Sequence, residues 1–190
     1  LGVGRDQDRK TARVETLEAL GRAEEAQTYR WTCFEQSLHS EHLKAFLRRL
    51  PDFDDLEAEE KAFVHARAFP DVHQALAFFL NWPTPAEAAK LVVSRKAELD
   101  GNLYELMTPA AEALAEKHPL AATILLRSMI DFALDNNRPS RYKHAARHLA
   151  DCASLAPHID DFGNTRSHDV YVADLKRRHG KKHGFWSLVT

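Results

Sequence analysis

Cysteine, isoleucine and glycine are scarce in this chain of 190 residues. The two cysteines, Cys33 and Cys152, cannot build a disulfide framework, and neither belongs to a Cys-x-x-Cys pair. That usage points to a reducing cytoplasm. The seven glycines are isolated, so there is no glycine-rich loop to cradle phosphate. No apolar run approaches the roughly 20 residues that span a bilayer, and Ile124-Leu125-Leu126 stops at Arg127. Leu1 to Lys10 lack the apolar stretch and cleavage site of a secretory signal. No methionine initiates the chain, so it reads as the C-terminal part of a longer protein. An excess of one charge is also missing: 26 Lys and Arg stand against 28 Asp and Glu, a net charge of -2. This excludes a global basic signature for nucleic acid and an acidic tail alike.

Alanine and leucine are abundant, with 28 and 23 residues against three isoleucines. Unbranched side chains lose little rotamer freedom in a helix, so the skew favours helix over sheet. Thr84-Pro85-Ala86-Glu87 reads as a capped helix start, and Asp54 with Glu57 forms a second capping box. Thr108-Pro109 repeats the order of cap and proline, and His118-Pro119 and Arg138-Pro139 mark two more starts. Gly21, Gly101 and Gly163 fall where the apolar pattern lapses, as helix stops should. Helical stripes fill the intervals, the longest being Tyr142, Ala145, Ala146, Leu149, Ala150 and Ala153. The pattern predicts ten helices, near 9–20, 22–38, 41–50, 55–69, 71–81, 85–99, 103–117, 119–136, 139–156 and 166–179, and no strand. The segment Leu120 to Leu134, apolar on nearly every side, should be the most enclosed. Connections of a few residues make neighbouring helices antiparallel.

Three segments share a skeleton. Ala26, Tyr29, Cys33 and Phe34 of the first correspond to Ala122, Leu125, Met129 and Ile130 of the second. The third, Arg141 to Ser154, places Ala146, Leu149 and Ala153 in register. A small residue at the first place lets helices approach closely, the packing logic of stacked hairpins that cannot bury a face alone. Ala19-Leu20-Gly21-Arg22-Ala23-Glu24-Glu25-Ala26 resembles the turn and second helix of a tetratricopeptide repeat. The repeat's first-helix Trp and terminal Pro are absent from their expected spacing. The stretch Trp31 to Leu188 resembles an uncharacterised bacterial family of helical-repeat proteins, through Leu47-Arg48-Arg49-Leu50-Pro51-Asp52-Phe53-Asp54-Asp55, Ser140-Arg141-Tyr142-Lys143-His144-Ala145-Ala146-Arg147-His148-Leu149 and Gly184-Phe185-Trp186. The resemblance implies an all-α, right-handed, tetratricopeptide-like solenoid of antiparallel helix hairpins (an α-α superhelix), in one domain over residues 1–190. It carries no catalytic residue. Residues 184–190, apolar after a basic helix, are expected to fold back as a cap on the last helix pair.

His144, His148 and Asp151 share a helix face and could hold Zn²⁺, but Ala145 stands where a metalloprotease helix needs Glu. His39 with His42 and His179 with His183 are weaker pairs, and no metal or other cofactor is assigned. Neither Cys33 nor Cys152 has the setting of a nucleophile. Asp52, Asp54, Asp55, Glu57, Glu59 and Glu60 read as a charged loop entering a helix. From Arg138 to His183 ten Lys or Arg face five Asp or Glu, with six histidines besides. Aromatics do not interleave with this run as in single-strand platforms, so an acidic protein segment ranks above nucleic acid as its partner. The expected role is a noncatalytic protein-interaction or scaffold module. Its partner surface comprises Arg138, Arg141, Lys143 and Arg147. A nucleic-acid module acting through the basic C-terminal region and, further back, a metal-dependent enzyme are the alternatives.

Overall fold

The structure, a computed structural model, describes the backbone of residues 2–51 and 53–189 and the side chains from Arg9 onward, without Asp52. Asp52 of the acidic run and Thr190 of the tail lie outside the described residues. Among the described residues there are eleven α-helices and no strand. They are α1 Gly2–Ala19, α2 Ala23–Ser37, α3 Ser40–Leu47, α4 Asp54–Arg67, α5 Val72–Asn81, α6 Pro85–Ser94, α7 Tyr104–Leu114, α8 Pro119–Asp135, α9 Tyr142–Leu155, α10 His168–His179 and α11 His183–Trp186. Ten overlap the predicted spans, although α1 begins earlier, at Gly2, and α6 ends earlier, at Ser94; α11, a single turn, lies in the tail. The chain divides into two compact units, Leu1–Trp82 and Pro83–Thr190.

The first unit holds α1 to α5 around a cluster of rings. Phe34 is fully buried, with ring centroids 5.6 Å from Trp31 and 5.5 Å from Phe78, while Phe63 meets Phe79 at 5.8 Å. Ala26 and Cys33, the small places of the repeat skeleton, are buried beside them. Gly21 ends α1 at φ +72, a left-handed conformation that costs glycine little. Asp71 caps α5, accepting from the backbone N–H groups of His73 and Gln74 at 2.9 and 3.2 Å, which propensity alone did not single out. The capping box expected at Asp54 does not form there: the chain turns through Phe53 at φ 76, so Asp54 is already the first helical residue.

The second unit is built around α8, which packs against α6, α7 and α9. Residues Ala121 through Arg127 are all buried, as are Met129, Ile130, Ala133 and Leu134. Proline opens α6 and α8 as expected, but Pro109 lies inside α7, which begins earlier at Tyr104. Gly101 has a packing role beyond stopping a helix. A Cβ there would lie 2.0 Å from the Ser128 carbonyl oxygen and 2.8 Å from Phe132 Cβ, so the loop before α7 presses directly on α8. The α9 stripe also ends differently from expectation. Tyr142, Ala145, Ala146 and Leu149 are buried, but the next buried place is Cys152, while Ala150 and Ala153 are exposed. The step of three from Leu149 keeps the face turned toward α8, where the Cys152 thiol lies 4.0 Å from the Thr123 carbonyl oxygen. In the tail, Phe185 is fully buried with its ring 6.0 Å from Tyr142, and Trp186 Nε1 donates to the His179 carbonyl at 2.8 Å.

Candidate functional site

A slot of about 690 Å³ opens in the second unit, walled by α7 and α9 with α8 as its floor. Leu126, Met129 and Ala133 of α8, spaced three and four apart, share one face and supply an apolar floor. Ala111 and Ala115 on the α7 side and Ala145 on the α9 side keep the walls free of bulk. The floor is barely reached by solvent: Leu126 is 6% exposed, Met129 5% and Ala133 1%. A cavity of this volume on an apolar floor is large enough for several side chains of a bound segment.

Arg141, in the turn Pro139–Arg141 that leads into α9, stands at one end. Its guanidinium lies 4.7 Å from the centre of the Tyr104 ring and 5.1 Å from that of Phe132. Both rings lie within cation–π distance of the guanidinium and help to hold it in place. Nη1 is buried and has no protein hydrogen-bond partner among the described residues. A buried guanidinium N–H without an acceptor is costly, and an incoming carboxylate would satisfy it. Glu112 and Asp151 line the other end, with His144, His148 and Arg147 between them and Arg141 along α9. His148 Nδ1 lies 3.9 Å from Asp151 Oδ2, beyond hydrogen-bonding range. Burial holds the His148 imidazole below its ordinary pKa; Asp151 opposes this, and His144 and Arg147 reinforce it.

Of the four cations expected at a partner surface, Arg141 and Arg147 line the slot. Arg138 and Lys143 are exposed and lie outside its lining. Tyr104, Phe132 and Glu112 were not anticipated. An aromatic opening one helix and an arginine before another gave no sequential sign that they would meet. Among the described residues no group of three His, Cys, Asp or Glu is arranged to hold a metal ion. Burial pushes the Cys152 thiol up to about 12, and it stays protonated at neutral pH.

Three arginines of the basic C-terminal region are committed to carboxylates. Asp174 accepts from Arg166 at 2.7 Å, Arg177 at 2.6 Å and Arg178 at 2.8 Å. These partners, Arg177 first, pull the Asp174 carboxyl down to about 2. Arg178 also reaches Asp131 at 2.9 Å and Asp135 at 3.1 Å. Deeper in the unit lies Arg127, only 6% exposed. Its Nη1 donates to the Arg166 carbonyl at 2.6 Å and its guanidinium sits 4.3 Å from the Tyr171 ring centre. Its Nε and Nη2 have no protein partner among the described residues. Arg127 is the one cation of α8 and follows Ile124, Leu125 and Leu126 directly, which was the available signal for that burial.

No helix is long and apolar enough to cross a membrane among the described residues. Neither a curated protein nor a solved structure matches the chain. A family model does match, over residues 3–188, and the chain belongs to that family of unknown function (DUF6880).

Proposed function

We propose that this chain is a noncatalytic protein-interaction module that takes an acidic segment of a partner protein into the slot between α7 and α9. The observation that carries the reading is Arg141, bracketed by two rings with a buried nitrogen that no protein acceptor satisfies. In this proposal the helix pairs stack as a right-handed, tetratricopeptide-like solenoid, an arrangement that offers grooves of this kind to peptides. The small residues Ala26 and Ala122, both fully buried at equivalent places of the repeat skeleton, support it. We also propose a bacterial cytoplasmic setting, which two buried, unpaired cysteines suit.

Nucleic acid is the weaker alternative, because Arg166, Arg177 and Arg178 already spend their charge on Asp174. A metal-dependent activity has no ligand set among the described residues to support it. Selection of a random peptide display library against the chain tests the proposal. Enriched peptides should be rich in Asp or Glu, weaken as salt rises, and fail to bind the Arg141→Glu/Arg147→Glu variant with its circular dichroism unchanged. Enriched peptides that bind this variant as tightly as the parent would overturn it.

A further inference from the structure

The slot is charged differently at its two ends. Arg141 and Tyr104 meet at one, 4.7 Å apart, and each stands at the start of its own helix or one residue before it. Glu112, on α7, and Asp151, on α9, line the other. Tyr104 and Glu112 are eight positions apart, and Arg141 and Asp151 ten, which at 1.5 Å per residue is roughly 12–15 Å. Neither carboxylate is cancelled locally. Glu112 is exposed and has no ion pair among the described residues, and Asp151 has only His148, 3.9 Å away and held toward its neutral form by burial. The apolar floor of Leu126, Met129 and Ala133 runs between the ends.

We infer that the slot is a bipolar recognition site: it takes an extended segment of a partner protein with an Asp or Glu side chain at Arg141 and a Lys or Arg side chain at Glu112 and Asp151. This rests on the interaction reading above and adds the second charge and the spacing. An extended chain advances about 3.3 Å per residue, so a span of 12–15 Å places the two charges about four positions apart. Alternate side chains of such a strand point to opposite sides, so the acidic residue, the one two places on and the basic residue face the slot together. The middle one is apolar, because it lies over Leu126 and Met129. An acidic segment without the distant cation would leave Glu112 and Asp151 facing apolar or like-charged groups, which disfavours it.

The test uses the full chain and synthetic peptides blocked at both ends, so that only side-chain charges differ. The peptides carry Glu alone, Lys alone, or Glu and Lys two to six residues apart in either order, within an Ala and Leu background. Titration calorimetry should show the tightest binding with Glu and Lys four positions apart, about fivefold or more above Glu alone. Binding should be weaker at three and five, which put the two charges on opposite sides of the strand. Glu112→Gln with Asp151→Asn should remove that advantage and leave the Glu-only peptide bound as tightly as before or somewhat more tightly. Arg141→Gln should weaken every Glu-bearing peptide about tenfold, and Arg141→Lys should recover part of the loss. If the Glu-only peptide binds as tightly as the paired ones, or a separation of three or five binds best, the bipolar site is wrong and the acidic-segment reading survives. If no peptide distinguishes the parent from both Arg141 variants, each with its parental melting temperature, both readings fall. Because Glu112 is exposed, the arm that separates the two readings does not depend on disturbing a buried residue.

Discussion

In the first unit Phe34 stands among Trp31, His65 and Phe78, with ring centroids between 5.5 and 6.0 Å, and Phe63, Phe79 and Trp82 extend the cluster. In the second unit the large fully buried side chains include Leu91, Met107, Leu114, Leu125, Ile130 and Leu134, with Phe185 the one fully buried ring among them and alanines between. Rings fill space at fixed angles and leave little between helices. Alanine and glycine bring backbones close at one place, as at Gly101 against Ser128, and leave an open slit where short walls stand beside a helix, as over Met129. The slot therefore follows from the composition of the second unit's core.

The largest expected effects probe the two cores directly. Phe34→Ala should cost about 3–5 kcal/mol and Leu125→Ala about 2–5 kcal/mol in urea denaturation, through lost burial plus a cavity. Both side chains are fully buried, so the difference between them measures how well each core closes on the gap. A cost for Phe34→Ala below about 1 kcal/mol would mean that the remaining rings slide in to fill the space, and that this cluster is less fixed than its geometry indicates.

The helices were legible in the sequence because prolines and periodic stripes mark positions locally. Pro85 and Pro119 open α6 and α8, and the stripe Leu43, Phe46, Leu47, Leu50 lies on or just past α3. Pro109 does not mark a start: it is the sixth residue of α7, inside the span 103–117 that the pattern predicts. The cation-rich segment was legible too, and it contained Arg141 and Arg147. The slot was not. Its walls come from residues more than thirty positions apart, and its width depends on how closely small side chains let α7 and α9 approach α8. Charge counting also could not see that Arg166, Arg177 and Arg178 converge on one carboxylate, Asp174.

A smaller effect should distinguish the buried arginine in each unit. Arg30, 2% exposed, donates to Glu18 at 2.5 Å and to Gln27 at 2.9 Å. Arg127, equally enclosed, has one backbone acceptor and two nitrogens without a protein partner among the described residues. Replacing a well-paired buried cation strands its partners, while replacing a poorly paired one removes a desolvation penalty. Arg30→Met should therefore cost about 1–3 kcal/mol, and Arg127→Met should cost less than about 1 kcal/mol or stabilise the chain. Calorimetric melting of the two variants checks the order. The reverse order would show that Arg127 holds its unit together through interactions stronger than the Arg166 carbonyl and the Tyr171 ring supply.

The smallest expected effect is a dependence on pH that also differs between the units. Burial lowers the pKa of His42 in the first unit and of His148 and His168 in the second. Unfolded histidine titrates near 6.5, so between that value and the lowered folded values the unfolded chain binds more protons than the folded one. Stability therefore rises with pH across this window and is lost as pH falls below about 6.5. The carboxylates of Glu18 and Asp174 are shifted downward, and their contribution is lost only at lower pH, as it falls from the ordinary carboxylate range toward the depressed values. Asp131, raised by burial, acts in the opposite direction at the acid end, so the comparison is best made between about pH 7.5 and 5.5. The melting temperature should fall by a few degrees over that interval. His148→Gln should flatten the slope, because burial disfavours the charged form of that imidazole. A slope unchanged in His148→Gln would mean that this imidazole titrates as it does in water and that the α9 wall of the slot is wetter than its packing indicates.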